Sequence, residues 1–330
     1  MKNLFERHTQ FNNRDFGLSL LLFLSPPRRT RLRSLFKYTL QISPFGRNDI
    51  LILLLVFFSL SSRINAQIFT DKDVEVCNSK FILAVDKSLN EKPINEVIVE
   101  IGKSFLGTEY VAHTLEKDGD EQLVINLSGL DCTTFLETSL TFARCIKKGK
   151  TSFEDYQNEL IVIRYRDGKI DKYPSRLHYF SDWIYNNQQK GIVKDITEEI
   201  GGKKIKFAVD FMSKNPKYYK QLQENPKFIP VIKKQEEEIN SRQYYYIPQN
   251  EIEKAESKIQ TGDLIALTTS DKGLDIGHIG IAVKMDDGRI HFMHAPLAGS
   301  KVQITENPLS DYVKKIKKHT GIIVLRVLEP

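Results

Sequence analysis

The feature that most constrains this chain is a change of apolar period at Gly262. Upstream, apolar residues recur at helical spacing; downstream they alternate, as in half-buried strands. Residues 263–269, 278–285, 289–293, 301–305 and 322–327 each read as a strand, and Asp286-Asp287-Gly288 supplies a turn between the second and third. Upstream, residues 94–105 carry Ile94, Val97, Ile98 and Ile101 on one face, with Gly107 as a stop. Residues 132–147 form a second helix with two adjoining apolar ridges, Leu136, Leu140 and Ala143 beside Phe135, Phe142 and Ile146. Helices gathered ahead of strands, without alternating β–α–β units, predict an α+β fold with an antiparallel sheet. The middle, residues 152–250, reads as mostly helical and charged, with insertions at 165–179 and 214–230. The run KKQEEEIN from Lys233 reads as a solvated helix face, and no internal repeat is visible.

Charge is unevenly distributed. The chain has a formal net charge of +6, yet residues 1–66 hold ten Lys or Arg against three Asp or Glu. The remainder carries 38 basic and 39 acidic residues. A near-neutral body lacks the basic face that a nucleic-acid binder needs. The basic end has another explanation. Residues 50–60, ILILLLVFFSL, follow Arg47 and precede SSRINAQ. This apolar core is too short to span a bilayer but suits a signal peptide. Cleavage is expected after Ala66, giving a periplasmic protein of one domain, residues 67–330. The alternatives are an uncleaved anchor through residues 50–60, facing the periplasm from the inner membrane, or a mis-assigned start.

The cysteines are Cys77, Cys132 and Cys145. Cys132 and Cys145 share one helix and lie about 20 Å apart, too far to bridge. Cys77 and Cys145 read as structural. Asp131-Cys132-Thr133 opens the helix, so the thiol sits in the first turn, where unpaired N–H groups and the helix dipole favour a thiolate. The plain alternative is a small buried hydrophobe. A thiolate nucleophile needs a base, and His278 starts a strand in DIGHIGIAV between Gly277 and Gly280, which permit close backbone approach. A third polar group should hold the other imidazole nitrogen. His291 and His294 lie on the next strand, on opposite faces. A three-residue turn brings residue 294 opposite 280 and onto the face of His278; a one-residue slip favours His291. Strand spacing leaves both open.

The segments LDCTTF, GHIGIAV and FMHAP follow the order of the NlpC/P60 cysteine peptidases, a papain-like superfamily, and that resemblance selects His294 as the third member. More specifically, SFLGTEYVAHTLE from Ser104, NLSGLDCTTFLET from Asn126, YPSRLHYFSDWI from Tyr173 and GDLIALTTSDKGLDIGHIGIAV from Gly262 resemble the DUF1460 family across most of residues 93–328. Glu109 stands where Pro is common, and the gap from His278 to His294 is longer than in the wider superfamily.

The resemblance implies an N-acetylmuramoyl-L-alanine amidase acting on muropeptides or peptidoglycan fragments, with Cys132 as nucleophile, His278 as base and His294 orienting it. The Cys132 N–H and the Tyr110 hydroxyl would serve the oxyanion. Arg176, His178, Tyr179 and Trp183 form an Arg- and aromatic-rich segment suited to sugar rings and carboxylates, and Asp131 would orient the helix start or touch substrate. The plain readings are core packing for Tyr179 and Trp183 and simple N-capping for Asp131. The nearest rival is a γ-D-glutamyl-diaminopimelate peptidase using the same triad. A rival of another class is a membrane-anchored binding module with an inert cysteine. A zinc site of Cys132, His278 and His294 would lack the short-spaced ligand pair such sites often show, so no cofactor is expected.

Overall fold

A computed structural model describes residues 67–297 and 300–330. The leader, with its cleavage site and apolar stretch, lies outside the described residues. Among those described, no helix is long and apolar enough to cross a membrane.

Four helices build one layer: α1 (Asp71–Asp86), α2 (Ile94–Lys103), α3 (Cys132–Lys147) and α4 (Phe153–Arg164). Capping boxes start α1, α3 and α4, with Thr70, Asp131 and Ser152 each exchanging hydrogen bonds with the third helical residue. The two ridges expected on α3 are both used: Phe135, Leu136, Leu140, Phe142 and Ala143 have no exposed surface. Each large side chain among them stabilises the fold by about 1.5–3 kcal/mol on burial. That anchoring fixes the position of the residue at the helix start.

A short parallel pair joins β1 (Gln67–Ile68) to β2 (Leu123–Val124). The main sheet runs β4 (Lys203–Ile205), β5 (Tyr244–Pro248), β10 (His319–Val327), β6 (Leu264–Thr269), β7 (Ile276–Lys284), β8 (Ile290–His294), β9 (Gln303–Ile304), with β3 (Val193–Asp195) also on β10. Every pairing in it is antiparallel. Alternation divides the sheet's apolar residues between two cores. Ile279, Ile281 and Met293 join the core built with α3, while Ala282, Ile290 and Phe292 join Leu309 and Val313 of a short helix, Leu309–Lys315. Helices on an antiparallel sheet make this an α+β architecture.

The middle departs from its helical reading. Helices Phe180–Gln189 and Ile229–Ser241 are present, but β3, β4 and β5 extend the sheet there. Strands of three to five residues are too short to show a period, and Lys203-Lys204-Ile205 offers no alternation. The KKQEEEIN run is not wholly solvated either. Glu236 is buried, accepting the Tyr179 hydroxyl at 2.8 Å and the Ser213 N–H at 3.0 Å.

Candidate active site

Asp131 is the N-cap of α3. Its Oδ1 accepts the Thr134 N–H at 2.7 Å, and Thr134 Oγ1 accepts the Asp131 N–H at 2.9 Å. Cys132 is the first helical residue, and its N–H has no backbone acceptor among the described residues, while the Thr133 N–H and hydroxyl face the Cys132 sulfur. Just upstream, Tyr110 is pinned by its N–H to the Ser300 carbonyl (2.9 Å), while the flanking backbone pairs with Leu130. Glu109 pairs with Lys301 at 3.0 Å.

The β7–β8 register pairs Ile281 with Met293 and Lys284 with Ile290. One step further sets Gly280 opposite His294, so His278 and His294 are diagonal neighbours on one face. Their rings meet: His278 Nε2 lies 2.6 Å from His294 Nδ1. His291 faces away and is held by the Thr305 carbonyl at 2.7 Å and Asp287 at 2.9 Å. A glycine at 280 is required by this approach. A Cβ there would sit 2.5 Å from the Met293 carbonyl oxygen and 2.7 Å from the Phe292 ring.

Cys132 and His278 line one cavity of about 280 Å³, with Thr133, His178, Tyr219 and Asp275 among its other walls. A second pocket of about 180 Å³ shares Glu116, Thr133, Leu177 and His178 with it and adds His113, Asp131, Glu137, Arg164 and Arg176. Cys132 is half-buried, and no hydrogen bond joins its thiol to His278 in this structure.

The electrostatics differ from the sequence expectation. Burial pushes the Cys132 thiol up to about 12, and the adjacent Asp131 carboxylate adds to the rise; Thr133 and the Ile279 backbone amide pull weakly the other way. The helix start does not yield a resting thiolate. Desolvation outweighs the dipole here. Burial, then the neighbouring charges of His294, His319 and Lys318, hold His278 well below its usual value. Burial takes His294 down to about 3. The group is therefore a neutral thiol beside two neutral imidazoles. Tyr110 is raised to about 12 by burial, then by Cys132 and Asp131, so its hydroxyl stays a donor near the thiol.

The other sequence candidates reach the two pockets in different states. His178 Nε2 lies 2.9 Å from the Tyr173 carbonyl. A carbonyl only accepts, so the proton is on Nε2 and Nδ1 is left as an acceptor. Arg176 lines the second pocket with its guanidinium already engaged by Glu116 (2.6 Å), the Leu115 carbonyl (3.2 Å) and Glu121 (3.3 Å). The Tyr179 hydroxyl is engaged by Glu236 and by the Met212 N–H at 3.0 Å. Trp183 is core, its Nε1 donating to Glu137 at 3.2 Å. Cys77 and Cys145 are buried free thiols.

Sequence reasoning missed several cavity residues. Met212 and Tyr219 come from or beside the 214–230 insertion, and Asp275 is buried, accepting the Ser181 N–H at 2.7 Å. Tyr312, on the Leu309–Lys315 helix, stands edge-to-face with His294. The one available signal was the insertion itself, since long connections often carry function.

A family model described as AmiA-like, N-acetylmuramoyl-L-alanine amidase-like, matches residues 100–322. An N-acetylmuramoyl-L-alanine amidase from Bacteroides uniformis is 38% identical, with TM-score 0.68, over 71% of this chain and 99% of that one. A Bacteroides fragilis protein provisionally described as a xylanase is 40% identical, with TM-score 0.65, over 68% of this chain and 99% of that one. A Legionella pneumophila protein of the DUF1460 family model, 22% identical over 78% of this chain and 95% of that one, shares the fold with TM-score 0.59. No curated protein matches. With more than half its length matched, the chain belongs to the AmiA-like family of N-acetylmuramoyl-L-alanine amidase-like proteins.

Proposed function

We propose that this protein is an exported cysteine amidase that cleaves the bond between the muramyl lactyl group and L-alanine in muropeptides. The observation that carries the reading is the shared cavity: Cys132 at a helix start and His278 line the same space, with buried His294 behind His278 at 2.6 Å. The family and the Bacteroides uniformis amidase support the bond assignment. The order Cys, His, His on a helix and two neighbouring strands supports a papain-like NlpC/P60 core. Residues 67–330 form the catalytic domain, and residues 1–66 serve as a leader cleaved near Ala66 that delivers it to the periplasm.

Because thiol and imidazole both rest neutral, the proton leaves Cys132 as the sulfur attacks the lactyl carbonyl, passing to His278 Nδ1. Substrate filling the cavity draws the pair into contact. The free Cys132 N–H and the Tyr110 hydroxyl receive the oxyanion. His278 then gives its proton to the departing amine of L-alanine, and a water, deprotonated by His278, hydrolyses the thioester. Nδ1 of His178 accepts from a substrate N–H. Arg176 and Tyr179, already internally bonded, shape the walls, and Asp131 holds the helix start. Xylan cleavage needs a carboxylate pair flanking the bond, whereas Glu116 and Asp275 are engaged by Arg176 and the Ser181 N–H.

Digestion of anhydro-muropeptides with mass analysis of the products tests the bond. The amidase releases a peptide-free sugar and a peptide beginning with L-alanine. A disaccharide retaining L-Ala-D-Glu identifies the γ-D-glutamyl-diaminopimelate peptidase instead.

A further inference from the structure

A buried nitrogen without a conventional partner sits behind the histidine pair. His294 has no exposed surface, its Nδ1 meets His278, and its Nε2 has no hydrogen-bond partner. A neutral imidazole carries one proton, so two arrangements of the pair exist. If His294 donates from Nδ1, His278 must hold its own proton on Nδ1 and has no lone pair for a thiol. If His278 donates from Nε2, its Nδ1 is free to act as base, and the His294 proton must sit on Nε2. Only the second arrangement supports catalysis, and it aims an N–H into the protein interior.

Tyr312 is an aromatic neighbour of the buried His294 ring. The His294 and Tyr312 rings are 5.1 Å apart between centroids and inclined at 78°, an edge-to-face arrangement. Phe292, tilted 36° to His294 at 4.7 Å, lies more nearly parallel and is placed less well for an edge contact. An aromatic face carries negative potential and accepts an N–H.

We propose that the ring face of Tyr312 accepts the His294 Nε2–H and so selects the tautomer that leaves His278 able to act as base. Tyr312 is then a positioning residue acting through His294. This inference rests on the reading of Cys132 as nucleophile and His278 as base.

The test uses the whole protein labelled with ¹⁵N-histidine, together with Tyr312→Phe and Tyr312→Leu. In the wild type, His294 is protonated on Nε2, and that proton is shifted upfield by the tyrosine ring current. Tyr312→Phe keeps the ring, the shift and a kcat within about twofold of wild type, since only the hydroxyl is lost. Tyr312→Leu loses the shift and lowers kcat roughly threefold or more, with KM little changed. A His294 proton found on Nδ1 in the wild type overturns the proposal, as do equal kcat values for the Phe and Leu variants. The wild-type spectrum and Tyr312→Phe decide the matter even where Tyr312→Leu does not fold. Cys132→Ala, assayed alongside, separates the two levels. If it hydrolyses substrate as fast as the wild type, the amidase reading itself fails.

Discussion

His278 Nε2 and His294 Nδ1 lie 2.6 Å apart across neighbouring strands, so the two rings behave as one unit. Removing His294 leaves the His278 N–H without its acceptor, opens a cavity and frees the ring to rotate. His294→Ala is expected to lower kcat by about 100-fold or more, in the range for loss of a group that orients a catalytic base. Steady-state kinetics check this. A change in KM alone would assign His294 to substrate binding.

The resting protonation states set the pH response. Burial raises the Cys132 thiol to about 12 and holds His278 well below its usual value. Iodoacetamide should therefore label Cys132 slowly at neutral pH and faster as pH rises. In turnover, His278 stays unprotonated through and below about pH 6.5, so kcat/KM should remain flat there and fall only in more acid solution. Rapid labelling at neutral pH, or an acid limb near the ordinary histidine value, would indicate a resting thiolate–imidazolium pair.

Stability should also fall on the acid side of neutrality. Burial lowers His178, His278, His294 and His319, so each binds fewer protons folded than unfolded. Their neutral forms are stable above about pH 6.5 in both states, and the folded state loses ground as pH drops below that value. Each contributes up to about 1.4 kcal/mol per pH unit. His291 moves the other way, burial being outweighed by Asp287 and the Thr305 carbonyl together, and buried Glu121, Asp195 and Asp275, raised by burial, likewise oppose part of the fall. Thermal unfolding between about pH 7 and pH 5, ahead of most carboxylate titration, should show a falling Tm. A flat Tm across that window contradicts the burial of these rings.

Gly280→Ala tests the strand approach that sets the histidine pair. Its Cβ would press on the Met293 carbonyl, a backbone atom that moves only with β8 and His294. The expected cost is about 1–3 kcal/mol of stability, with a loss of kcat larger than the loss of folded protein. Activity and stability falling in proportion would show that the glycine serves packing alone.

Local rules carried much of the reading. Helix α3 spans Cys132–Lys147 as expected, because Asp131 caps it and two ridges bury it. Strand period and turn length left His291 and His294 both open, and the family resemblance selected His294, the ring that meets His278. What escaped depended on contacts distant in sequence. The engagement of Arg176 comes from Glu116 and Glu121, some 55 to 60 residues away. The rise of the Cys132 thiol comes from burial that no helix position reveals. Tyr312 sits on a seven-residue helix too short for a periodic signal, and β3 to β5 were hidden for the same reason.

The most direct measurement compares wild type and Cys132→Ala on purified anhydro-muropeptides, after thermal unfolding has shown both to be folded. The wild type should release peptide-free sugar, and the variant should release none above the uncatalysed rate. Equal release by the variant would remove the sulfur from the chemistry and the cysteine amidase with it.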